Sequence, residues 1–296
     1  MRNAGLLFAI LLIGQSVVGA NPTVIKTADE LLDRGNVEAS LDLLQSHAES
    51  ADSSKTAAAI LWRCSRASLI IGEIKEREGV SKKEVMEIYE RGIEYAEKAI
   101  EKDSRSHQAY FYRASNIGKL SQMKSVFEAF NRVTDIRDDL RRAVTIKPDF
   151  SIAWYVLGIL YEQVPGGIIS FGNIEYSVSF ARKSIETMQK ELSSGDGERI
   201  YYDYYTELAK HLYKRNWSSE RRKREHPQLL AQYKKQYSIF DKTKFFEGTV
   251  DLEPVSDRTE AKTILTRIID ELEPKSTSEK YAETYNEARE TFDRLF

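Results

Sequence analysis

The stretch that decides the fold is residues 151–186, SIAWYVLGILYEQVPGGIISFGNIEYSVSFARKSIE. Its first part places apolar residues of different size on one helical face: Trp154, Leu157, Gly158 and Tyr161. Pro165 and two glycines interrupt the pattern, which resumes after Asn173, a residue type that often caps helix N-termini. The stretch therefore predicts a helical hairpin in which the Trp154 face is buried.

The same pattern occurs twice upstream, around Trp62 in ILWRCSRA and around Tyr110 in QAYFYRASNI. Each first helix is followed by a second helix with small or apolar residues at a fixed offset: Gly92, Ala96 and Ala99, then Ile136, Leu140 and Ala143, then Ser177, Ala181 and Ser184. The separation from Gly92 to Tyr110 equals the separation from Ile136 to Trp154. All variation in length therefore falls inside the hairpins, which predicts stacked helical repeats of the tetratricopeptide type with their insertions along one edge.

Two of the insertions are expected to be helical, because residues 81–84 read as a capping box and residues 126–143 keep helical spacing without Gly or Pro. The third is a Gly-rich loop that carries large apolar residues, Ile168, Ile169 and Phe171. Apolar side chains on a loop need a cover. Three covers are open: the edge of the array itself, the mouth of a tunnel, or another subunit.

The two ends of the chain differ from the repeats. Residues 1–20 combine Arg2, an apolar run at 4–13 and small residues at 18–20, which predicts a secretory signal cut after Ala20 and export, to the periplasm in a bacterium. An uncleaved anchor is the alternative, and the run has no lipobox Cys. We expect the array over residues 21–190 and a C-terminal helical region, packed on the array, over residues 191–296. The helices expected in that region are 198–217, 228–240, 257–272 and 276–296, the last with a capping box from Ser276 to Glu279.

Composition excludes several functions. The net charge of −2 gives no nucleic-acid footprint. The four His residues have no metal-ligand spacing, no acid–base pair stands out, and neither an enzyme activity nor a cofactor is expected. Cys64 is a single cysteine in an apolar stretch, and it is predicted to be buried.

A narrower resemblance covers residues 55–220 and rests on the stretches LWRCSRAS, GIEYAEKAIEKD, VTDIRDDLRRAVTIKPDFSIAWYVLGILYEQVPGG and ELAKHLYKRNW. They are similar to the T component of TRAP transporters, TatT, and to the eukaryotic regulators of microtubule dynamics. The expected fold is an all-α tetratricopeptide-like α-solenoid of hairpins with long second helices, plus C-terminal packing helices.

The TatT resemblance implies an exported, non-enzymatic accessory component of a solute transport system. The implied partners are a periplasmic solute-binding protein or another envelope protein, a small hydrophobic or anionic ligand, and further copies of the chain in a homo-oligomer with a tunnel. The alternative is an envelope protein-interaction scaffold without a small-molecule role. An apolar tunnel ending at Arg63 or Arg66 would favour the first, and an open groove with polar walls the second.

The candidate binding residues fall into three groups. Arg63 and Arg66 lie in an apolar stretch and could bind a carboxylate, although structural ion pairs are the more common use of such arginines. Positions expected to face the inner groove, or else to pack between helices, are Phe111, Ser115, Tyr155, Ile159 and Glu162. The loop residues Ile168, Ile169 and Phe171 form the third group.

Two further segments could contact partners. Four tyrosines lie within residues 201–205, and some of them are expected to be exposed. The basic run KRNWSSERRKREH, residues 214–226, could contact anionic lipid or an acidic partner, but the commoner role of such a run is a solvated helix end.

Overall fold

A computed structural model describes residues 20–124, 126–167, 170–195 and 199–296, so residues 1–19 of the predicted signal lie outside the described part. The described residues form thirteen α-helices: α1 Ala20–Asp33, α2 Val37–Ala48, α3 Ser54–Arg77, α4 Lys82–Lys102, α5 His107–Gln122, α6 Val126–Ile146, α7 Ser151–Gln163, α8 Ile174–Ser194, α9 Tyr202–Arg215, α10 Ser219–Lys235, α11 Ile239–Thr243, α12 Asp257–Leu272 and α13 Glu279–Leu295. Two 3-10 segments, Phe246–Thr249 and Glu273–Lys275, complete the elements. These residues contain no β-strand, and the predicted all-α class is confirmed.

Consecutive helices pair as hairpins: α1 with α2, α3 with α4, α5 with α6 and α7 with α8. Each hairpin packs on the next, through α2–α3, α4–α5, α6–α7 and α8–α9. The first helices α3 and α5 also contact each other, as do α7 and α9. This is the arrangement of a helical-repeat solenoid, with first helices in one layer and second helices in the other.

The C-terminal helices continue this packing. Helix α9 packs on α8 and then pairs with α12, which in turn contacts α13. The intervening segment folds back over the second helices, since α10 packs on the segment Phe246–Thr249 and α11 contacts α6 and α8. The predicted C-terminal packing helices are thus present, and α9 is where they join the array.

The α7 face predicted from the sequence is buried, as expected. Trp154 is fully buried against Phe180, with ring centroids 5.8 Å apart, and its Nε1 donates to the Pro148 carbonyl at 2.8 Å. A Cβ on Gly158 would lie 3.3 Å from His211 Nε2 and close to the backbone of α8. The glycine therefore allows α7, α8 and α9 to approach one another closely.

The predicted alignment of α3 is wrong by one residue. Its buried face carries Leu61, Cys64, Ser65 and Ser68, at the spacing of Trp154, Leu157, Gly158 and Tyr161 in α7. Trp62, the sequence counterpart of Trp154, is only half-buried. The size of the Trp62 ring favours aligning Trp62 with Trp154, but packing places the smaller Leu61 at that core position.

Helix caps agree with the sequence at two hairpins. Ser81 Oγ accepts from the Glu84 amide at 3.4 Å and donates to the Glu84 carboxylate at 2.7 Å, so α4 has the predicted N-cap. Asn173 Oδ1 accepts from the amides of Glu175 and Tyr176 at 2.9 and 3.0 Å, which caps α8. The α6 insertion is one continuous helix, as expected.

Two C-terminal predictions are wrong. Helix α10 begins at Ser219 and not at residue 228, because the Ser218 side chain caps it and the helix runs through Pro227. Helix α13 begins at Glu279, after the 3-10 segment Glu273–Lys275. Ser276 Oγ donates to the Glu273 carbonyl at 2.7 Å, so this serine closes the 3-10 turn, and Ser278 takes the N-cap position of α13.

No helix in the described part of the chain combines the length and the apolar character that are needed to cross a bilayer.

Candidate functional site

The candidate site is the first-helix surface, which we define as the surface formed on α3, α5, α7 and α9 around Trp62, Tyr112, Tyr155, Ile159 and Glu162. At the α3 end, the Trp62 ring stacks on Tyr112 of α5 with centroids 5.7 Å apart and planes 1° apart. The guanidinium carbons of Arg63 and Arg66 lie 4.0 and 5.4 Å from the Trp62 ring centroid. Aromatic stacking thus joins α3 with α5, while the two cation–π contacts lie within α3.

Both arginines are already paired. Arg63 Nε donates to both carboxylate oxygens of Asp29 in α1, each at 3.0 Å, and Arg63 Nη1 donates to the Ala59 carbonyl at 3.0 Å. Arg66 also pairs with Asp29. One carboxylate therefore pairs with two guanidinium groups, and the cluster keeps one net positive charge.

The basic end of the surface is partly desolvated. The Arg66 Nε atom is buried and has no hydrogen-bond partner among the described residues. Burial raises the pKa of the neighbouring Tyr112 hydroxyl, and Arg66 acts in the opposite direction. Desolvation makes the remaining charge at this end more effective towards an anion than a fully solvated arginine would be.

The predicted groove residues of α5 are used within the helix layer. Phe111 is 4% exposed and packs edge-on against Phe150, with centroids 5.2 Å apart. Ser115 Oγ donates to the Phe111 carbonyl at 2.9 Å. The structure therefore places Phe111 in the core and Ser115 in a local helix bond.

The α7 end of the surface is aromatic. Tyr155 stacks on Tyr204 of α9 at 4.5 Å, and Tyr204 stacks on Tyr201 at 5.4 Å. Ile159 lies one turn after Tyr155 and is half-buried. One turn further, Glu162 pairs with Lys214, whose Nζ also donates to the Glu162 carbonyl at 3.2 Å. Three of the predicted residues thus lie in one row along the α7–α9 junction.

Carboxylates surround this aromatic row. Asp203 and Glu207 lie one turn apart on α9, and burial followed by repulsion from Glu287 of α13 raises the pKa of Asp203. Burial also raises the pKa of Glu207, and repulsion from Glu287 adds to that increase. Lys210 acts in the opposite direction, because it donates to Glu207 at 2.6 Å and to Glu287 at 2.8 Å. The α9 end is therefore acidic, while the α3 end is basic.

The loop after α7 packs on the array at Phe171. The Phe171 ring lies 5.0 Å from Tyr161, and the Arg137 guanidinium carbon lies 4.7 Å from the Phe171 centroid. A bridge between Gly166 and Gly172 closes the loop. Phe171 thus covers the edge of the array, one of the three alternatives, and Ile168 and Ile169 lie outside the described residues.

A large cleft is separate from these residues. It has a volume of about 940 Å³ and lies where α2 ends, α3 begins and α4 ends, with Tyr95, Leu61 and Lys98 in its lining. Arg63 and Arg66 do not line it. This cleft is therefore not the apolar tunnel ending at Arg63 or Arg66 that would favour solute binding.

Sequence reasoning missed a buried network of three arginines and three carboxylates: Arg182, Arg215, Arg222, Glu247, Asp257 and Glu260. Arg215 and Arg222 belong to the basic run for which a solvated helix end is the expected role, and that expectation is wrong for both. Burial of a charge requires a partner. For Arg215 the nearby Trp217 is a sequence signal of a buried environment, whereas Arg222 lies within the charged run and has no such signal.

Comparisons with known proteins support part of the sequence interpretation. The sequence profile of the family "Regulator of microtubule dynamics protein 1-3" matches residues 24–164, just under half of the chain. Regulator of microtubule dynamics protein 1 from Bos taurus is 26% identical over 151 residues, which are 51% of this chain and 45% of the relative. The same protein from Pongo abelii is 26% identical over 46% of this chain and 41% of the relative. The chain thus spans less than half the length of the curated relatives it matches.

A solved structure extends the comparison to the fold. TTC0263, described as a thermophilic tetratricopeptide protein of Thermus thermophilus, aligns with a TM-score of 0.54 over 90% of this chain and 98% of its own. At 10% identity this likeness concerns the fold alone. The chain is therefore a tetratricopeptide-like helical protein that is similar, over its N-terminal half, to the regulators of microtubule dynamics; its relation to TatT stays a prediction.

Proposed function

We propose that this chain is a non-enzymatic helical-repeat protein that binds a segment of a partner protein along its first-helix surface. The observation that carries the proposal is the row formed by Tyr155, Ile159 and Glu162 beside the stacked Tyr204. Rigid aromatic side chains supply contact area at low entropic cost, and charges beside them select the partner.

The state of the two arginines favours a protein segment over a free anionic solute. A solute carboxylate would have to compete with Asp29, which already accepts from both guanidinium groups. A partner segment that spans the surface could instead contact the basic α3 end and the acidic α9 end together. Opposite charges at the two ends would fix the direction in which such a segment binds.

The proposal is tested by selecting peptides that bind the purified chain from a displayed random library. Replacing Ile159 with Asp should weaken binding of the selected peptides by about tenfold or more, since it puts a charge into a half-buried contact. Lys82→Glu changes an exposed residue at the start of α4 and serves as the control. Peptides that bind the Ile159→Asp and wild-type proteins equally well would contradict the proposal, provided that thermal melts show both to be folded.

The exported accessory role in a solute transport system is the second candidate. It is supported by the signal-like residues 1–20 and by the resemblance to TatT over residues 55–220. Native mass spectrometry of the purified chain, with search for a retained organic acid, tests the solute role, and cell fractionation tests export. Recovery of a bare monomer from the cytoplasm would contradict this candidate.

The curated relatives add one partner to the assays. They are named as regulators of microtubule dynamics, and for this chain the corresponding proposal is that tubulin is among the proteins it can bind. Co-sedimentation with assembled microtubules, with Ile159→Asp as the variant, would measure this directly. Unchanged co-sedimentation of the variant would mean that tubulin does not bind at the first-helix surface.

A further inference from the structure

A second surface lies on α10, the helix that folds back over the second-helix layer. Charge is unevenly distributed along the chain: residues 214–245 contain ten Lys or Arg and three Asp or Glu, a net +7, while the whole chain carries −2. The remainder of the chain therefore carries −9. Two of the ten, Arg215 and Arg222, belong to the buried network, and four others form ion pairs nearer the surface: Lys214, Arg221, Arg224 and Lys244. The remaining four, Lys223, Lys234, Lys235 and Lys242, have no ion pair among the described residues.

Helix α10 is held firmly by its inner side. Arg222 Nη1 donates to the Val255 carbonyl at 2.6 Å, and His226 Nε2 lies 2.8 Å from the Val250 carbonyl. Gly248 approaches so closely that a Cβ there would lie 2.2 Å from the Leu230 amide nitrogen. The outer side of α10 is consequently presented on a fixed support.

The outer side of α10 is basic. Its exposed lysines are Lys223, Lys234 and Lys235, and none of the three has a carboxylate within ion-pair distance among the described residues. Between them the exposed residues are Arg224, which pairs with Glu225, and the uncharged Pro227, Gln228, Ala231 and Gln232. We call this surface, together with Tyr237, the α10 face.

Tyr237 follows the helix and is 99% exposed. A tyrosine that makes almost no contact within its own chain is an unusual use of a large side chain, and tyrosine is enriched in the energetic centres of protein interfaces. It lies close to Lys234 and Lys235 in the sequence. The α10 face therefore combines unpaired positive charge with one uncommitted aromatic ring.

We infer that the α10 face is a docking surface for an acidic segment of a partner protein. Charge complementarity identifies the occupant, because the lysines are unpaired and the residues between them are too small and polar to enter a lipid bilayer. The 17-residue helix gives a face about 25 Å long, which suits a short peptide segment. A long polyanion such as duplex DNA would extend past the face and meet the net negative charge of the remaining chain.

The inference is tested with a fluorescein-labelled peptide that is long enough to span α10 and in which Glu and Asp alternate with Ala and Leu. Binding is measured by fluorescence anisotropy on the full chain, and a peptide with Lys in place of the acidic residues is the ligand control. We expect binding of the acidic peptide alone, weakening as salt is raised. The double reversal K234E/K235E should raise its Kd by about tenfold or more, because it puts like charges opposite each other.

The matched control is K82E/K83E, which changes the net charge equally at two adjacent exposed lysines where α4 begins. It should leave the Kd within about twofold of wild type. K234Q/K235Q only removes the two charges and should also weaken binding. It provides the same test if the reversal variant K234E/K235E does not fold. Tyr237→Ser should also weaken binding while leaving the melting temperature unchanged, because the side chain makes no contact that the fold depends on.

Three results would overturn the inference. The first is equal binding by K234E/K235E and wild type. The second is equal loss in K82E/K83E, which would show a response to total charge only. The third is binding of anionic phosphatidylserine vesicles or duplex DNA under conditions where the acidic peptide does not bind, since the face would then recognise another class of partner.

Discussion

Arg215 donates from Nη2 to Oε1 of Glu247 at 3.0 Å, and both side chains are only 1% exposed. Arg215 also donates from Nε to Asp257 at 2.8 Å, while Arg182 donates from Nε to the same oxygen of Glu247 at 2.9 Å. These bonds connect α8, the end of α9, the segment Phe246–Thr249 and the start of α12. A buried carboxylate between two arginines therefore fixes how the C-terminal helices sit on the array.

Replacing Glu247 with Gln should destabilise the protein strongly. The change removes the charge that pairs with Arg182 and Arg215, and breaking a buried pair on one side costs about 3–5 kcal/mol. Urea unfolding monitored by circular dichroism measures the free energy of unfolding. Glu253→Gln, at an exposed carboxylate, is the control and should change this free energy by less than about 0.5 kcal/mol. A similar free energy for both variants would mean that the network does not hold the C-terminal helices.

The protein should lose stability in acid partly through His211. Burial, followed by Lys210 and Lys214, lowers the pKa of this histidine from 6.5 to about 3. Because the unfolded chain binds the proton at a higher pH than the folded chain, the free energy of unfolding falls as pH drops from about 6.5 towards 3, by at most about 1.4 kcal/mol per pH unit for this group.

Two other groups act in the same direction. Burial and Lys147 lower the pKa of His107 to about 4. Burial alone would raise the pKa of Glu247, but Arg182 and Arg215 outweigh it and lower the pKa from 4.5 to about 2. The variant His211→Leu should therefore flatten the decline between pH 6.5 and 4.5 without abolishing it. An unchanged slope of unfolding free energy against pH would contradict the assignment.

Replacing Asp203 with Asn should stabilise the protein at neutral pH. Burial and then Glu287 raise the pKa of Asp203, so the folded state binds a proton more tightly than the unfolded state does. This group favours folding at pH below about 3.9 and disfavours it once the pH rises above its folded pKa. Because the side chain is only half-buried and solvent screens its charge, we expect a modest gain of about 0.5–1 kcal/mol at pH 7 that disappears in acid.

Asp251→Asn, at an exposed position, is the control for Asp203→Asn and should show no gain. Thermal melts at pH 7 and pH 3 distinguish the two variants. A loss of stability for Asp203→Asn at pH 7 would show that this carboxylate makes a favourable contact at the α9 end, for example with the partial positive charge of the helix N-terminus.

Two glycines should respond to alanine with opposite signs. A Cβ on Gly92 would lie 2.3 Å from Oδ1 of Asn116, a buried side chain that donates to the Ser65 and Tyr112 carbonyls at 3.2 and 2.8 Å. Gly92→Ala should therefore cost about 1–3 kcal/mol through overpacking, despite its better helix propensity. Apart from the backbone of its own helix, Gly118 in α5 has no atom within 4 Å of the same position, and Gly118→Ala should gain up to about 1 kcal/mol.

Chemical denaturation of the two alanine variants provides the measurement. A gain in both would mean that Asn116 can move aside and that the contact between α4 and α5 is loosely packed. A loss in both would mean that Gly118 is constrained by something other than space.

Local patterns carry most of the fold prediction. The α7–α8 hairpin is predictable because Trp154, Pro165 and Asn173 give the buried face, the break and the cap within a short stretch. The α3 register is not, because Trp62 and Leu61 are both apolar and only packing with α4 and α5 decides between them. The start of α13 was not predictable for a similar reason, since the preceding 3-10 turn uses Ser276 and Ser278 is the N-cap.

The long-range pairs could not be predicted from local spacing. Arg63 and Arg66 meet Asp29 of a different helical hairpin, and Arg215 meets Glu247 beyond the whole of α10 and α11. Their residue types indicated that partners were needed, but many carboxylates were available. The sequence likewise left open whether Phe171 packs on the edge of the array, at the mouth of a tunnel or on another subunit. Its contact with Tyr161 shows that it packs on the edge of the array.

The pairing of α9 with α12 has a consequence for the order in which the molecule is built. Helix α9 ends at Arg215 and α12 begins at Asp257, so the whole segment 216–256 separates the two halves of this last hairpin, while the earlier hairpins close over short connections or loops. On a ribosome, Leu208 and Leu212 must wait for that segment to emerge before α12 can cover them. During that interval the side of α9 that α12 will cover stays open, until synthesis reaches Leu272.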